Sequence, residues 1–187
     1  MRVFISGGCK NGKSFFAQRL AKAAAEDCSG KTRPLYYIAT MRPVDAEDDK
    51  RIARHRKERE DWGFVTVEQH IRIEEILQKC DPGGSFLLDS LTALLANEMF
   101  LPDGSVDRHA DERIICGLSS VLNKTENIVI VSDYIYSDAF IYDLLTESYR
   151  KALANIDRAA AGRCDTVLEM AFSGLSVHKG ELQEKWA

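Results

Sequence analysis

Short apolar runs punctuate the chain at residues 2–6, 35–39, 86–89, 128–132 and 166–172, and stretches with helical spacing lie between them. Strands alternating with helices predict a mostly parallel sheet with helices packed around it. Ile128-Val129-Ile130-Val131 contains no polar position, the pattern of a central strand buried on both faces. Ser173 and Gly174 separate the apolar stretch 167–172 from residues 175–179, which predicts a tight reversal into an antiparallel last strand; 181–187 then form a short tail. Residues 26–34 and 101–104 read as loops. No repeat, low-complexity tract or Pro/Gly-rich linker divides the chain, so residues 1–187 are expected to form one domain.

The first apolar run, Val3-Phe4-Ile5, leads into Gly7-Gly8-Cys9-Lys10-Asn11-Gly12-Lys13-Ser14, which fits G-x-x-x-x-G-K-[ST] and precedes the helix-forming residues 15–22. Strand, glycine-rich loop and helix in that order form the context in which this pattern cradles phosphates. The loop N–H groups and the positive helix end suit di- or triphosphate oxygens, Lys13 would reach the outer phosphates, and the Ser14 hydroxyl would hold Mg²⁺. The alternative is a glycine-rich turn without a ligand. With the phosphate loop in place, the expected fold is a three-layer α/β fold like that of P-loop NTPases, with a mostly parallel sheet and an antiparallel terminal strand. Cys9 lies near a helix N-terminus, where a thiol pKa can fall, but it reads as a small residue that fits the loop.

Composition narrows the partners. The chain has 187 residues, 45% of them hydrophobic, enough for one well-buried core. Twenty-five Lys and Arg against 29 Asp and Glu give a net charge of −4, which supplies no field for general nucleic-acid or anionic-membrane binding and favours a small-molecule partner. Five scattered cysteines, at 9, 28, 80, 116 and 164, without C-x-x-C spacing, suggest neither a disulfide framework nor a zinc site. A reducing cytoplasm is the expected compartment. With no signal-like start and no 18-residue apolar span, neither secretion nor membrane insertion is expected.

Two further segments carry candidate chemistry. Asp89 ends the apolar Phe86-Leu87-Leu88, the arrangement of a carboxylate delivered by a strand toward Mg²⁺ beside a phosphate loop. An acid there can equally cap the next helix, a role Ser90 could also take. In residues 45–60, acids give way to bases, matching the dipole of a solvated helix. His55 lies within this run; an isolated histidine on such a face is usually without a role, although imidazole suits nucleophilic attack near neutral pH.

Several segments together resemble the CobU family, the bifunctional adenosylcobinamide kinase/adenosylcobinamide-phosphate guanylyltransferases of cobalamin biosynthesis. The phosphate loop resembles that family's G-G-x-x-S-G-K-S, and Tyr37-Ile38-Ala39-Thr40 resembles its Y-[IL]-A-T. Arg51-Ile52-Ala53-Arg54-His55-Arg56 is similar to R-I-x-x-H, Trp62 with Thr66-Val67-Glu68 to W-x-T-x-E, and Leu88-Asp89-Ser90-Leu91-Thr92 with Asn97 to a D-C-L-T…N segment. The resemblance implies that His55 attacks the α-phosphate of GTP and carries GMP as a phosphoramidate, with Lys13 acting on the phosphates. It also implies nucleotide contacts at Gly7 to Ser14, at Ala39, Thr40 and Met41, at Arg56, Lys57, Glu58 and Arg59, and at Glu68 and Asp89. Ser14 and Asp89 would be the Mg²⁺ positions, and Arg54 is also near enough in sequence to stabilise phosphate charge. GTP and/or ATP, adenosylcobinamide and a homo-oligomeric state follow from the same resemblance.

The second half departs from the family pattern. Where the family usually has N-E-V-G, a proline and a later G-R-x-N-Q, this chain has Asp133-Tyr134-Ile135-Tyr136, Ile141 and Ala154-Asn155-Ile156-Asp157-Arg158. Asp for an amide and Tyr136 for glycine change charge, bulk and backbone freedom together. Two other readings therefore stand: a P-loop kinase or nucleotidyltransferase for another small molecule, and a non-catalytic nucleotide-binding regulator. The aromatic cluster Tyr134, Tyr136, Phe140 and Tyr142 is open between core, corrinoid contact and subunit contact. The phosphate loop reads only what ATP and GTP share, so base preference lies elsewhere.

Overall fold

A computed structural model of the chain describes residues 1–26, 32–43, 47, 53, 57, 59–136, 138–172 and 174–182. Among the described residues, seven strands form one sheet in the order β3-β2-β4-β5-β1-β6-β7. They are β1 (Arg2–Gly7), β2 (Leu35–Ala39), β3 (Val65–Glu68), β4 (Ser85–Asp89), β5 (Asn127–Val131), β6 (Thr166–Ala171) and β7 (Gly174–Lys179). The first six run parallel, and β7 returns antiparallel to β6. The expected mostly parallel sheet with an antiparallel last strand is therefore present. Ser173, half of the expected reversal, lies outside the described residues.

Strand alternation sorts the core into two layers, because successive side chains point to opposite faces. Val3, Ile5, Leu87, Val129, Val131 and Leu168 pack on one face with Ala17, Leu20 and Ala21 of α1 (Lys13–Ala25). Phe4, Phe86, Leu88, Ile128 and Ile130 pack on the other with residues of α2 (Ile76–Lys79), α3 (Leu91–Met99), α4 (Ala110–Lys124) and α5 (Leu144–Arg163). The middle of β5 is fully buried, with Ile128, Val129 and Ile130 at 0% exposure, as its uninterrupted apolar run requires.

The edge strand β3 was not among the expected strands. It is four residues long, and its Val65 and Thr66 are exposed, so it lacks the apolar run that marked the others; its β-branched Val-Thr-Val is the signal it does carry. Elsewhere the observed strands begin or end within one residue of the expected runs. Among the described residues, no helix is long and apolar enough to cross a membrane.

Close backbone approach makes one glycine necessary. Gly7 has φ +151°, and a Cβ there would stand 2.2 Å from the Met170 carbonyl oxygen on β6. Gly8, one residue on, has nothing within 4 Å of the same position. Gly7→Ala should therefore cost about 3 kcal/mol in urea unfolding and Gly8→Ala less than about 1 kcal/mol; equal midpoints for the two variants would contradict the close packing of the loop on β6.

Candidate active site

The loop between β1 and α1 is shaped by left-handed residues at Lys10 (φ 56°) and Gly12 (φ 90°). Gly12 is the N-cap of α1, and its carbonyl accepts the first helical bond from Phe16 at 3.1 Å. Asn11 braces the loop from below: its side-chain amide donates to the Met170 carbonyl and its Oδ1 accepts from the Lys13 N–H at 3.3 Å. Among the described residues, no backbone N–H from Cys9 to Gly12 donates to another backbone group. Successive free amides at a helix N-terminus are a cradle for anionic oxygens. Cys9, like the described Cys80, Cys116 and Cys164, is a free thiol.

Lys13 occupies the centre of this loop. It is 5% exposed, and its ammonium donates to the carbonyls of Gly7 at 2.9 Å and Gly8 at 2.6 Å and pairs with the Asp133 carboxylate at 3.0 Å. Ser14 is half-buried, and its hydroxyl makes no hydrogen bond among the described residues. A hydroxyl without a protein partner beside the loop fits a Mg²⁺ ligand, as the sequence implies.

Register places the other candidates along the same edge. Ile5, Val131, Asp89, Ala39 and Glu68 stand level across five adjacent strands. Asp89 ends β4, which is separated from the phosphate-loop strand by β5. The capping role falls to Ser90, whose side chain accepts from the Ala93 N–H at 3.4 Å, so Asp89 is left for other work. The Tyr37 hydroxyl donates to Asp89 Oδ2 at 2.8 Å, which fixes one oxygen of that carboxylate and turns the group. Ser14 and Asp89 both offer oxygen donors of the kind Mg²⁺ takes. No group of three or more His, Cys, Asp or Glu side chains forms a metal cage among the described residues.

Thr40 also holds the backbone of this edge together. It is fully buried, and its hydroxyl donates to the Ser90 carbonyl at 2.8 Å and accepts from the Ser90 N–H at 2.7 Å. Its carbonyl accepts from Asn97 Nδ2 at 2.7 Å and faces His70 Nδ1 at 3.1 Å. The knot ties the ends of β2 and β4 together; His70 was not singled out in the sequence, and no local pattern marks it. Ala39 and Met41 flank the knot, both half-buried.

Arg59 is 6% exposed, and its guanidinium lies 3.5 Å from the centre of the Tyr37 ring. Its buried Nε has no hydrogen-bond partner among the described residues. The cation therefore sits behind the same tyrosine that orients Asp89. Three residues on, Trp62 meets Phe15 edge-on at 5.6 Å and carries Lys22 over its ring at 5.5 Å. Arg59 and Trp62 thus tie the chain entering β3 to β2 and α1. Lys57 is helical and exposed, and Glu68 is exposed at the end of β3. His55, Arg54, Arg56 and Glu58 lie outside the described residues.

A second polar layer lies beneath the loop. Ser6 and Ser132 follow the level row by one residue, on the face that packs against α5, where Asp157 is 3% exposed. Tyr136 donates its hydroxyl to Asp157 Oδ2 at 3.1 Å, and the buried Ser6 and Ser132 hydroxyls lie beside this pair. Burial pushes the Asp157 carboxyl up to about 7; the Ser132 and Tyr136 hydroxyls oppose the rise and the negative charge of Asp133 adds to it. Burial likewise raises Tyr136 and Tyr149 above the usual phenol value. The aromatic cluster divides: Tyr136 is half-buried against Tyr134, at 4.7 Å between ring centres, whereas Phe140 is 75% exposed and Tyr142 39% exposed.

Phosphate loop, buried loop lysine, and a carboxylate on a nearby parallel strand define a nucleotide-binding α/β protein of the P-loop class. A KaiC-like protein of the archaeon Pyrococcus horikoshii shares this fold: the superposition has a TM-score of 0.52 at 13% identity and covers 98% of this chain and 79% of that one. The chain belongs to the cobinamide kinase/cobinamide phosphate guanyltransferase family, whose pattern matches residues 3–179. It is 29% identical over 169 residues to the bifunctional adenosylcobalamin biosynthesis protein CobP of Pseudomonas aeruginosa, covering 89% of this chain and 91% of that protein. It is 33% identical over 113 residues to the bifunctional adenosylcobalamin biosynthesis protein CobU of Escherichia coli, covering 60% of this chain and 56% of that protein.

Asp157 gives the fold a signed pH dependence. With a folded value near 7 and an ordinary value near 4 when unfolded, the folded state keeps a proton that the unfolded state has lost across that interval. Stability is therefore unpenalised below about pH 4, falls by up to about 1.4 kcal/mol per pH unit as pH rises toward 7, and is level above it. Asp157→Asn should gain stability over the wild type progressively between about pH 4 and pH 7 in urea titrations and hold that gain above it; a gap that stays constant across this range would show that the carboxyl is not the source.

Proposed function

We propose that this chain phosphorylates the aminopropanol hydroxyl of adenosylcobinamide and then transfers GMP from GTP to the resulting phosphate. The observation that carries the reading is the family match over residues 3–179, which spans the phosphate loop, His55 and the segment after β5 together. In the kinase step, the substrate hydroxyl attacks the γ-phosphorus of a nucleoside triphosphate, the bond from that phosphorus to the β-bridging oxygen breaks, and a nucleoside diphosphate leaves. Free loop amides and Lys13 stabilise the charge that builds on the transferred group and on the departing phosphate. In the guanylyl step, a neutral His55 nitrogen attacks the α-phosphorus of GTP and pyrophosphate leaves; a phosphate oxygen of adenosylcobinamide phosphate then displaces the histidine nitrogen. Two displacements let one site serve a nucleotide and an acceptor in turn.

Mg²⁺, when bound, neutralises phosphate charge and orients the leaving group. Ser14 and Asp89 would hold it, the latter aimed by Tyr37. Arg59 supports this arrangement from behind the tyrosine ring; Arg54, Arg56, Lys57 and Glu58, in the same basic segment as His55, belong to the nucleotide side of the proposal, with Glu68 at the neighbouring edge. A reducing cytoplasm, supported by the free thiols, and a homo-oligomeric state, supported by the family resemblance, complete the reading.

Purified protein incubated with Mg²⁺ and α-labelled GTP should retain acid-labile, alkali-stable label after denaturation, and His55→Ala should retain none. Lys13→Ala should lower both label formation and phosphorylation of adenosylcobinamide by at least about a hundredfold. Label that persists on the His55 variant, or turnover that survives loss of Lys13, would sink the assignment.

A further inference from the structure

The Lys13–Asp133 pair is fixed from the backbone upward. Three successive amides hold the segment after β5: Ser132 donates to the Ile5 carbonyl at 3.0 Å, Asp133 to Thr92 Oγ1 at 3.0 Å and Tyr134 to the Gly7 carbonyl at 3.0 Å. Two of these bonds end on β1 and the third on the first turn of α3, so the Asp133 carboxylate is delivered to the phosphate loop by tethered backbone. It meets the Lys13 ammonium at 3.0 Å, where the ammonium already donates to two loop carbonyls. An ammonium has three protons; with Asn11 Oδ1 as a fourth oxygen at 3.5 Å, its neighbours leave none spare.

An outer phosphate would need the same ammonium. It would also bring negative charge next to a carboxylate whose side chain is only 30% exposed, where screening by solvent is reduced. We propose that Asp133 is a positioning residue that sets nucleotide affinity: it holds Lys13 and must yield it before an outer phosphate can bind. The proposal rests on the nucleotide-site reading and deepens it. An amide at this position, as in the family pattern this chain resembles, would accept the same hydrogen bond without the charge. The substitution at residue 133 therefore weakens triphosphate binding while leaving the loop's shape intact, and it does so through the outer phosphates alone.

The test is equilibrium binding of GMP and of GTP with Mg²⁺ to the wild type, Asp133→Asn and Asp133→Ser. Both neutral variants should bind GTP about tenfold more tightly, the equivalent of releasing one partly buried charge contact, with GMP affinity unchanged. A purely structural role would move GMP and GTP together. GTP affinity that is unchanged or weaker in both variants overturns the proposal, and a parallel change for GMP does so too. Failure here, with His55 labelling intact, leaves the guanylyl mechanism standing; tighter GTP binding without label leaves Asp133 as assigned and removes the His55 step.

Discussion

The Lys13 ammonium, 5% exposed and held by the Gly7 and Gly8 carbonyls and the Asp133 carboxylate, is the contact around which the carboxyl edge is organised. A buried ammonium is tolerated only where oxygen atoms replace its water. The requirement explains why β1 must end in a glycine that lies against β6, why Asn11 braces the loop, and why the chain after β5 is pinned by consecutive amides. Each of these features places an oxygen near the ammonium or holds the backbone that carries one.

The remainder of the site is built by the same sheet. Parallel strands end together, so residues from distant parts of the sequence arrive at one lip: Asp89 from β4, Ala39 from β2, Glu68 from β3. The lip is kept rigid by polar contacts that do no chemistry themselves, with Thr40 bound to the Ser90 peptide and Asn97 bound to Thr40 and His70. Arg59 is tied to the same lip, since one cation over one ring links it to the strand whose tyrosine orients Asp89. Positioning by fixed dipoles is what phosphoryl and nucleotidyl transfer require.

Much of the fold was legible in the order of residues because a buried parallel strand must be apolar on both faces, as at 128–131, and because the phosphate loop needs glycine where backbone closes on backbone. The edge strand β3 was not legible: with Val65 56% exposed, it owes its place to hydrogen bonding with β2 rather than to burial. At the site, sequence pointed to Lys13, Ser14 and Asp89 through local pattern, and the choice between Asp89 and Ser90 as helix cap was resolved only by three-dimensional geometry. Asp133 stood out as a departure from a family pattern, yet its partner Lys13 is 120 residues away. Asp157 stood in another departing segment and His70 carries no local signature; their roles come from burial and from neighbours that only the packed structure supplies. His55 lies outside the described residues, so its part in the account rests on family resemblance and chemistry.

The central claim is that this edge recognises the outer phosphates of a nucleotide through Lys13 and the loop amides. Calorimetric titration of the wild-type protein with guanosine, GMP, GDP and GTP in the presence of Mg²⁺ tests it most directly. Affinity should rise at each added outer phosphate, with the largest step where Lys13 is first engaged. Affinity that is flat from guanosine to GTP would contradict the claim, because binding would then be carried by the base and sugar rather than by the loop.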